Sequence, residues 1–228
     1  MTGSLEPLPQ PRWQDHAQTA TSAAVSAVPF IGGPAQVLFE AVLAPAVERR
    51  RLKWLQDLAD LVNELVDRFE GFDPVDLESN EGFISGVIAA SNIALGTHLE
   101  EKLEMLKNVL ARLALGESKG DFLDKQMFRW IDELSPEHFI VLEYLRDPRA
   151  WFAAHDKPVP NLMMGSPLSM LESAGIGVPM GVVALVLHDL GSRNLAQGDI
   201  GGVMSLDGML SSRIHPLGAE LLAFVRRV

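Results

Sequence analysis

Cysteine is absent from the 228-residue chain. Its absence excludes structural disulfides, thiolate catalysis and zinc sites built on thiolates, and it favours a reducing cytoplasm. The six histidines are scattered and lack the close spacing that metal ligands show. A phosphate-binding loop and the G-x-S-x-G motif of serine hydrolases are also missing. We therefore predict that the protein is not an enzyme and has no catalytic residue, no cofactor and no metal.

Basic residues are scarce as well. The chain has 19 Lys and Arg against 30 Asp and Glu, which gives a formal net charge of -11. Between Trp54 and Leu110, twelve acidic residues stand against three basic ones. Such an acidic surface repels a phosphate backbone, so nucleic acid is not expected as a partner.

The longest apolar run covers residues 23–47 and contains one charged side chain, Glu40. Its length approaches the roughly 20 apolar residues that cross a bilayer. Gly32-Gly33-Pro34 and Pro45 interrupt it, so a spanning helix is the least favoured of three interpretations. Burial in the core or in an oligomer interface comes first, and a segment that lies on a membrane or inserts on a trigger comes second.

A basic cluster, formed by Arg49, Arg50, Arg51 and Lys53, follows this run. Basic side chains beside apolar residues suit anionic lipid head groups, whereas a solvated helix turn balanced by the acids downstream is the structural alternative. The candidate residues for contact with a membrane or a protein partner are Phe30, Ile31, Val37, Leu38, Phe39, Val42, Leu43, Arg49, Arg50, Arg51 and Lys53.

Two long helices are predicted next. Apolar residues recur at spacings of three and four in the first: Leu52, Leu55, Ala59, Val62, Val66 and Phe69. Leu58, Leu61 and Leu65 widen this face, and so broad a face needs more than one neighbouring helix. Residues 82–115 contain no proline and keep the helical spacing, so they predict a second helix, roughly 50 Å long and antiparallel to the first.

The remaining residues predict shorter helices. Helices are expected over 122–134, from Ser135-Pro136 to Leu145, after Asp147-Pro148, and over 168–174, 179–190 and 217–228. Residues 203–206 and 209–214 predict a hairpin around Asp207-Gly208, which gives the order of a winged helix. The candidate recognition helix, 179–190, has no Lys or Arg, so this arrangement does not favour DNA binding.

Four stretches of the sequence carry a family resemblance: residues 28–34 (VPF with GGP), 100–116 (EEKLEMLKNVLARLALG), 134–148 (LSPEHFIVLEYLRDP) and 211–225 (SSRIHPLGAELLAFV). Through them the chain resembles small bacterial helical proteins of unknown function related to the abortive infection alpha family. The resemblance implies a helical protein with a winged-helix-like end and an association with phage defence in bacteria. The matching motifs are structural, so the resemblance carries over no catalytic or binding residue.

The sequence thus predicts a mainly α protein in three parts. Residues 1–16, polar and proline-rich without the basic start of a secretory signal, form a flexible arm. Residues 17–118 form a bundle with two long antiparallel helices, and residues 119–228 form a small helical domain with a winged-helix-like C-terminal end.

The expected function is non-enzymatic binding of an unknown protein partner, another copy of the chain included, in phage defence. The alternatives are a membrane-associating or membrane-damaging effector that uses segment 23–47, and a winged-helix transcriptional regulator. The expected location is the cytoplasm, with a peripheral position on the inner membrane as the alternative.

Overall fold

The computed structural model describes residues 39–228. In this part of the chain the fold is mainly α-helical, as the sequence predicts. A π-helical turn, Phe39–Leu43, precedes the first α-helix, and a 3₁₀ helix, Pro74–Ser79, follows it. The α-helices are α1 (Ala44–Arg68), α2 (Glu81–Gly96), α3 (Glu100–Ala114), α4 (Asp121–Glu133), α5 (Pro136–Arg146), α6 (Pro148–Ala154), α7 (Pro167–Ala174), α8 (Met180–Ser192), α9 (Leu206–Met209) and α10 (Pro216–Val225).

Several helices begin where a polar side chain caps their first turn. Asn80 accepts the main-chain N–H of Phe83 at 2.9 Å at the start of α2, and Asp147 accepts that of Ala150 at 3.0 Å at the start of α6. Each bond satisfies a donor that has no partner within the helix. The helix start predicted at Asp147 is therefore confirmed, because its signal is local.

The single long helix predicted over residues 82–115 is wrong. Helix α2 ends at Gly96, Thr97 adopts an extended conformation, and α3 begins at Glu100. The hydroxyl of Thr97 accepts the main-chain N–H of Leu99 at 3.2 Å, which satisfies a donor within the break. Glycine has a low helix propensity and threonine can bond to the nearby backbone, so these residues together end the helix.

The break reverses the chain, so α2 and α3 run in opposite directions beside α1. Trp54, early in α1, donates through its indole N–H to Ser91, late in α2, at 2.9 Å. Lys53 and Glu100, early in α1 and α3, form an ion pair at 2.7 Å. The antiparallel arrangement predicted for residues 82–115 is therefore found for α2, whereas α3 runs parallel to α1.

The hairpin predicted over residues 203–214 is also wrong. Strand β2, Met204–Ser205, pairs antiparallel with the distant strand β1, Met164–Gly165, and Ile214 forms a bridge with Ala196. The Ser205 hydroxyl accepts the main-chain N–H of Gly208 at 3.4 Å and caps α9. This capped helical turn occupies the position of the expected hairpin turn, and the wing of a winged helix does not form from these residues.

Residues Arg50–Val228 form one compact unit. Helix α4 packs against α2 and α3, and α10 packs against α3 and α5. Helices from both sides of residue 118 thus share one core, and the predicted division of the chain between residues 118 and 119 stays a prediction. Fully buried side chains from α3, α4 and α5 make up much of that core, among them Leu106, Leu110, Met127, Ile131 and Leu142.

We predict that Gly218→Ala, in the first turn of α10, destabilises the protein by about 1–3 kcal/mol, the usual range for overpacking. An added Cβ would collide with the main-chain oxygen of Leu195 and lie 2.9 Å from Ile214 Cγ1. The control is Gly181→Ala, in the first turn of α8, because a Cβ there meets nothing within 4 Å. Urea unfolding of both variants measures the difference, and equal free energies of unfolding would contradict the prediction.

Candidate functional site

The predicted contact residues fall partly outside the described part of the chain. Phe30, Ile31, Val37 and Leu38 precede residue 39. Phe39 begins the π-helical turn, whose Val42 and Leu43 are exposed. The basic residues Arg49, Arg50, Arg51 and Lys53 all lie on α1 and are exposed.

Two members of the basic cluster contact the protein itself. The Arg50 guanidinium donates to the main-chain oxygen of Leu95 at 3.2 Å. The Lys53 ammonium donates to Glu100, and this hydrogen bond raises the pKa of Lys53 and lowers that of Glu100. Arg50 and Lys53 therefore do not both direct their charge at solvent, as a site for anionic lipid head groups requires.

Helix α1 buries one face. Among its 25 residues, the buried side chains are Trp54, Leu61 and Leu65, and Leu58 packs against the core beside them. These residues lie on one side of the helix, so the wide apolar face predicted from the sequence is covered there.

A second apolar face of α1 is exposed. Leu52, Leu55 and Val66 expose 56%, 51% and 45% of their surface, and Ala59 between them is also exposed. With 3.6 residues per turn, this row lies about 110° around the helix from the buried face. We define the exposed stripe of α1 as Leu52, Leu55, Ala59, Val62 and Val66. Phe69, which continues the row just after the helix, packs against the core.

The exposed stripe is what sequence reasoning missed. The sequence predicted that the whole apolar surface of α1 packs within one bundle, and only the side with Trp54 and Leu61 does so. The signal that distinguishes the two faces is Trp54, because a tryptophan buried with its N–H bonded to Ser91 sets the rotation of the helix.

A cleft of about 440 Å³ lies between α1, α3 and the residues after α10. Glu64 accepts hydrogen bonds from Arg227 at 2.7 Å and from Arg68 at 2.5 Å, and these bonds lower the pKa of its carboxyl group. Arg68 also donates to the main-chain oxygen of Val228 at 2.6 Å. The charged groups in this cleft thus hold the residues after α10 against α1. Their role is structural.

Ser135, His138 and Asp189 come together in an order that resembles a hydrolase triad. Ser135 Oγ lies 3.0 Å from His138 Nδ1, and His138 Nε2 lies 3.4 Å from Asp189 Oδ2 without a well-aligned hydrogen bond. The main-chain N–H of Ser135 donates to Nδ1 at 3.2 Å, and Ser135 Oγ caps the first turn of α5.

This arrangement is a reciprocal helix cap, because both side chains satisfy main-chain donors of the same turn. A serine nucleophile needs its oxygen free to attack and donors placed for the developing oxyanion. Ser135 Oγ is instead engaged by the helix that it caps. The geometry makes His138 part of a helix start.

Neither a metal site nor a membrane-spanning helix is found among the described residues. No group of three or more His, Asp or Glu side chains there is placed to hold a metal ion. None of the helices described is both long enough and apolar enough to cross a membrane.

Compared with known proteins, the chain matches no family model, no curated protein and no solved structure. The resemblance to the abortive infection alpha family stays a prediction.

We predict that His138 makes the protein less stable in mild acid. Burial lowers the pKa of His138 below its usual value of 6.5, and the nearby Asp189 carboxylate opposes this shift only in part. The unfolded chain therefore binds a proton more readily than the folded one. The free energy of unfolding should fall as the pH drops below about 6.5, towards the folded-state pKa.

Urea unfolding between about pH 8 and about pH 5 measures this effect in the wild type and in His138→Gln. The variant removes the titrating group, so its stability should depend less on pH. His98→Gln, at an exposed position, is the matched control and should keep the wild-type dependence. Identical pH profiles for wild type and His138→Gln would contradict the prediction.

Proposed function

We propose that this protein acts without catalysis, by binding another protein chain through the exposed stripe of α1. The observation that supports the proposal is the second apolar face of α1, on which Leu52, Leu55 and Val66 are exposed among the described residues. The setting that we propose is bacterial phage defence, in the cytoplasm, and it comes from the sequence resemblance alone.

The exposed stripe is costly to leave in water. Burying a leucine fully contributes roughly 1.5–3 kcal/mol, so covering the exposed halves of Leu52 and Leu55 contributes on the order of 1 kcal/mol each. Contiguous apolar residues on a soluble surface are typical of interaction sites, in contrast to single exposed side chains. An amphipathic helix face with spacings of three and four is a common surface for binding a second helix.

A membrane effector is the alternative that a specific observation favours. Val42, Leu43 and Val47 are exposed at the start of the described chain, and Arg49 follows them. Apolar side chains next to arginine suit the boundary between acyl chains and anionic head groups. Under this alternative the protein lies on the inner membrane and uses residues 23–47 for insertion.

A winged-helix regulator is not part of the proposal. Such a regulator needs arginines that can bind phosphate. Arg193 follows α8 directly, and Arg213 lies between α9 and α10. Arg193 donates to Glu133 at 2.7 Å, and Arg213 donates to Gln197 at 2.8 Å and to the main-chain oxygen of Gly208 at 2.7 Å. These internal bonds argue against phosphate binding by either side chain.

The proposed function predicts that a charge in the stripe abolishes activity in cells. Bacteria that express the wild-type chain should give fewer plaques when challenged with a panel of phages. Leu55→Glu should lose this protection, because a carboxylate cannot be buried in an apolar interface without a partner. Leu185→Glu, on α8, is the matched control, since Leu185 is 70% exposed and lies outside the stripe.

The two variants must have equal circular dichroism spectra and equal expression levels, so that a loss of phage protection reflects a loss of binding. If Leu55→Glu protects as well as Leu185→Glu does, the stripe is not the functional surface. If the wild type protects against no phage, the defence setting is wrong.

Flotation with liposomes tests the membrane alternative. Under that alternative the wild type floats with anionic vesicles and not with neutral ones, and Val42→Glu with Leu43→Glu abolishes flotation. Val75→Glu, in the 3₁₀ helix, is a control at an exposed apolar position away from residues 39–49. A wild-type protein that stays unbound with both vesicles would exclude the alternative.

A further inference from the structure

The geometry of α1 points to a second copy of this chain as the partner that covers the exposed stripe. We propose that two copies pair through α1 as an antiparallel two-helix coil with twofold symmetry. This inference rests on the proposed function, since it names the partner of the same surface.

The spacing of the stripe is that of a coiled-coil seam. Counted in heptads, Leu52, Ala59 and Val66 occupy the a positions, and Leu55 and Val62 occupy the d positions. Such a strict seam fits one partner helix, whereas the broad face of a globular bundle adds e or g positions. In α1 the apolar g residues, Leu58 and Leu65, already pack in the protein's own core, together with Leu61 at a c position.

An antiparallel pair joins these residues into continuous apolar layers. In that arrangement, a positions of one helix meet d positions of the other. The layers are Leu55 with the partner's Val66 and Ala59 with the partner's Val62. Ala59 and Val62 lie nearest the twofold axis, and the small Ala59 allows the helices to approach closely.

The charges beside the seam select the antiparallel direction. Arg49, Gln56 and Asn63 lie at e positions of α1, Glu70 follows the helix by two residues, and all four are exposed. In the antiparallel register, Arg49 lies near the partner's Glu70, and Gln56 lies beside the partner's Asn63. In a parallel pair each e position would instead flank a g position of the partner, and the g residues Leu58 and Leu65 belong to the protein's own core, so Glu70 would gain no basic neighbour.

Within residues 39–228, this face is exposed without any rearrangement of α1. The Trp54 indole is fixed to Ser91, and Lys53 is fixed to Glu100, both on sides of the helix other than the stripe. The helix is therefore held in one rotation by its own fold. A surface held in this way loses little conformational entropy on binding.

Single cysteines test the register, because the chain has none of its own. Leu55→Cys and Val66→Cys are purified separately, one with an affinity tag, then mixed and oxidised mildly. The antiparallel pair brings these positions into one layer, where Cα atoms within about 7 Å can form a disulfide. Each variant alone should crosslink poorly, since two copies of position 55, or of position 66, are then about 17 Å apart along the axis.

The expected result is a disulfide-linked dimer in the mixture and little in either variant alone. Leu185→Cys mixed with Leu55→Cys is the control and should not crosslink. Strong crosslinking in each variant alone, as a parallel pair would give, overturns the proposal.

Light scattering of the full-length chain gives the second readout. The mass should rise with concentration from 24.9 kDa towards twice that value. Leu55→Glu should raise the dissociation constant at least about tenfold, and Leu185→Glu should leave it unchanged. Arg49→Glu and Glu70→Arg should each weaken the dimer, and the two changes combined in one chain should restore it.

A wild-type protein that stays monomeric overturns the inference but not the proposed function. In that case, maleimide labelling of Leu55→Cys shows whether the chain's own N-terminal residues protect the stripe. Loss of liposome flotation in Leu55→Glu would instead identify a bilayer. Loss of phage protection in Leu55→Glu, with a monomeric wild type, would indicate a different protein partner.

Discussion

Burial of α3 is the constraint on which the packing of residues 50–228 depends. Seven of its 15 residues are buried, and it packs against α2, α4 and α10. Asn108 donates to the main-chain oxygen of Val225 at 2.8 Å, and Arg112 donates to that of Arg226 at 3.3 Å. Apolar and polar contacts thus fix the same neighbours around α3. Helix α1, which contributes Trp54, Leu61 and Leu65 to the core, remains an outer helix with one face free.

The helical class and most helix starts could be predicted from the sequence, because caps such as Asn80 and Asp147 act within one turn. The break after Gly96 could not, since a pattern of apolar residues continues across it and the cost of a glycine in a helix is small. The pairing of Met204 with Gly165 also lay beyond local signals. Ser205 could favour either a strand end or a helix cap, and contacts about forty residues away in the chain decide between them.

The apolar residues of the candidate site could be predicted from the sequence, but which of them face solvent could not. Periodicity showed that α1 carries apolar residues over a wide arc, yet it could not show which part faces inward. That choice depends on the fit of Trp54 between neighbouring helices, which is a tertiary property. The contacts of the basic cluster could not be predicted either. Arg50 and Lys53 donate hydrogen bonds to Leu95 and Glu100, which are distant in the sequence.

The exposed stripe is not required by the fold that α1 joins. Polar residues at positions 52, 55 and 66 would leave the buried face unchanged, so the packing of Trp54, Leu61 and Leu65 gives no reason for leucine and valine there. Two copies with a formal charge of -11 each also repel one another. An antiparallel pair reduces that repulsion locally, because it sets the basic start of one α1 against the acidic end of the other. The distribution of charge along α1 and the row of apolar residues beside it therefore favour the same partner.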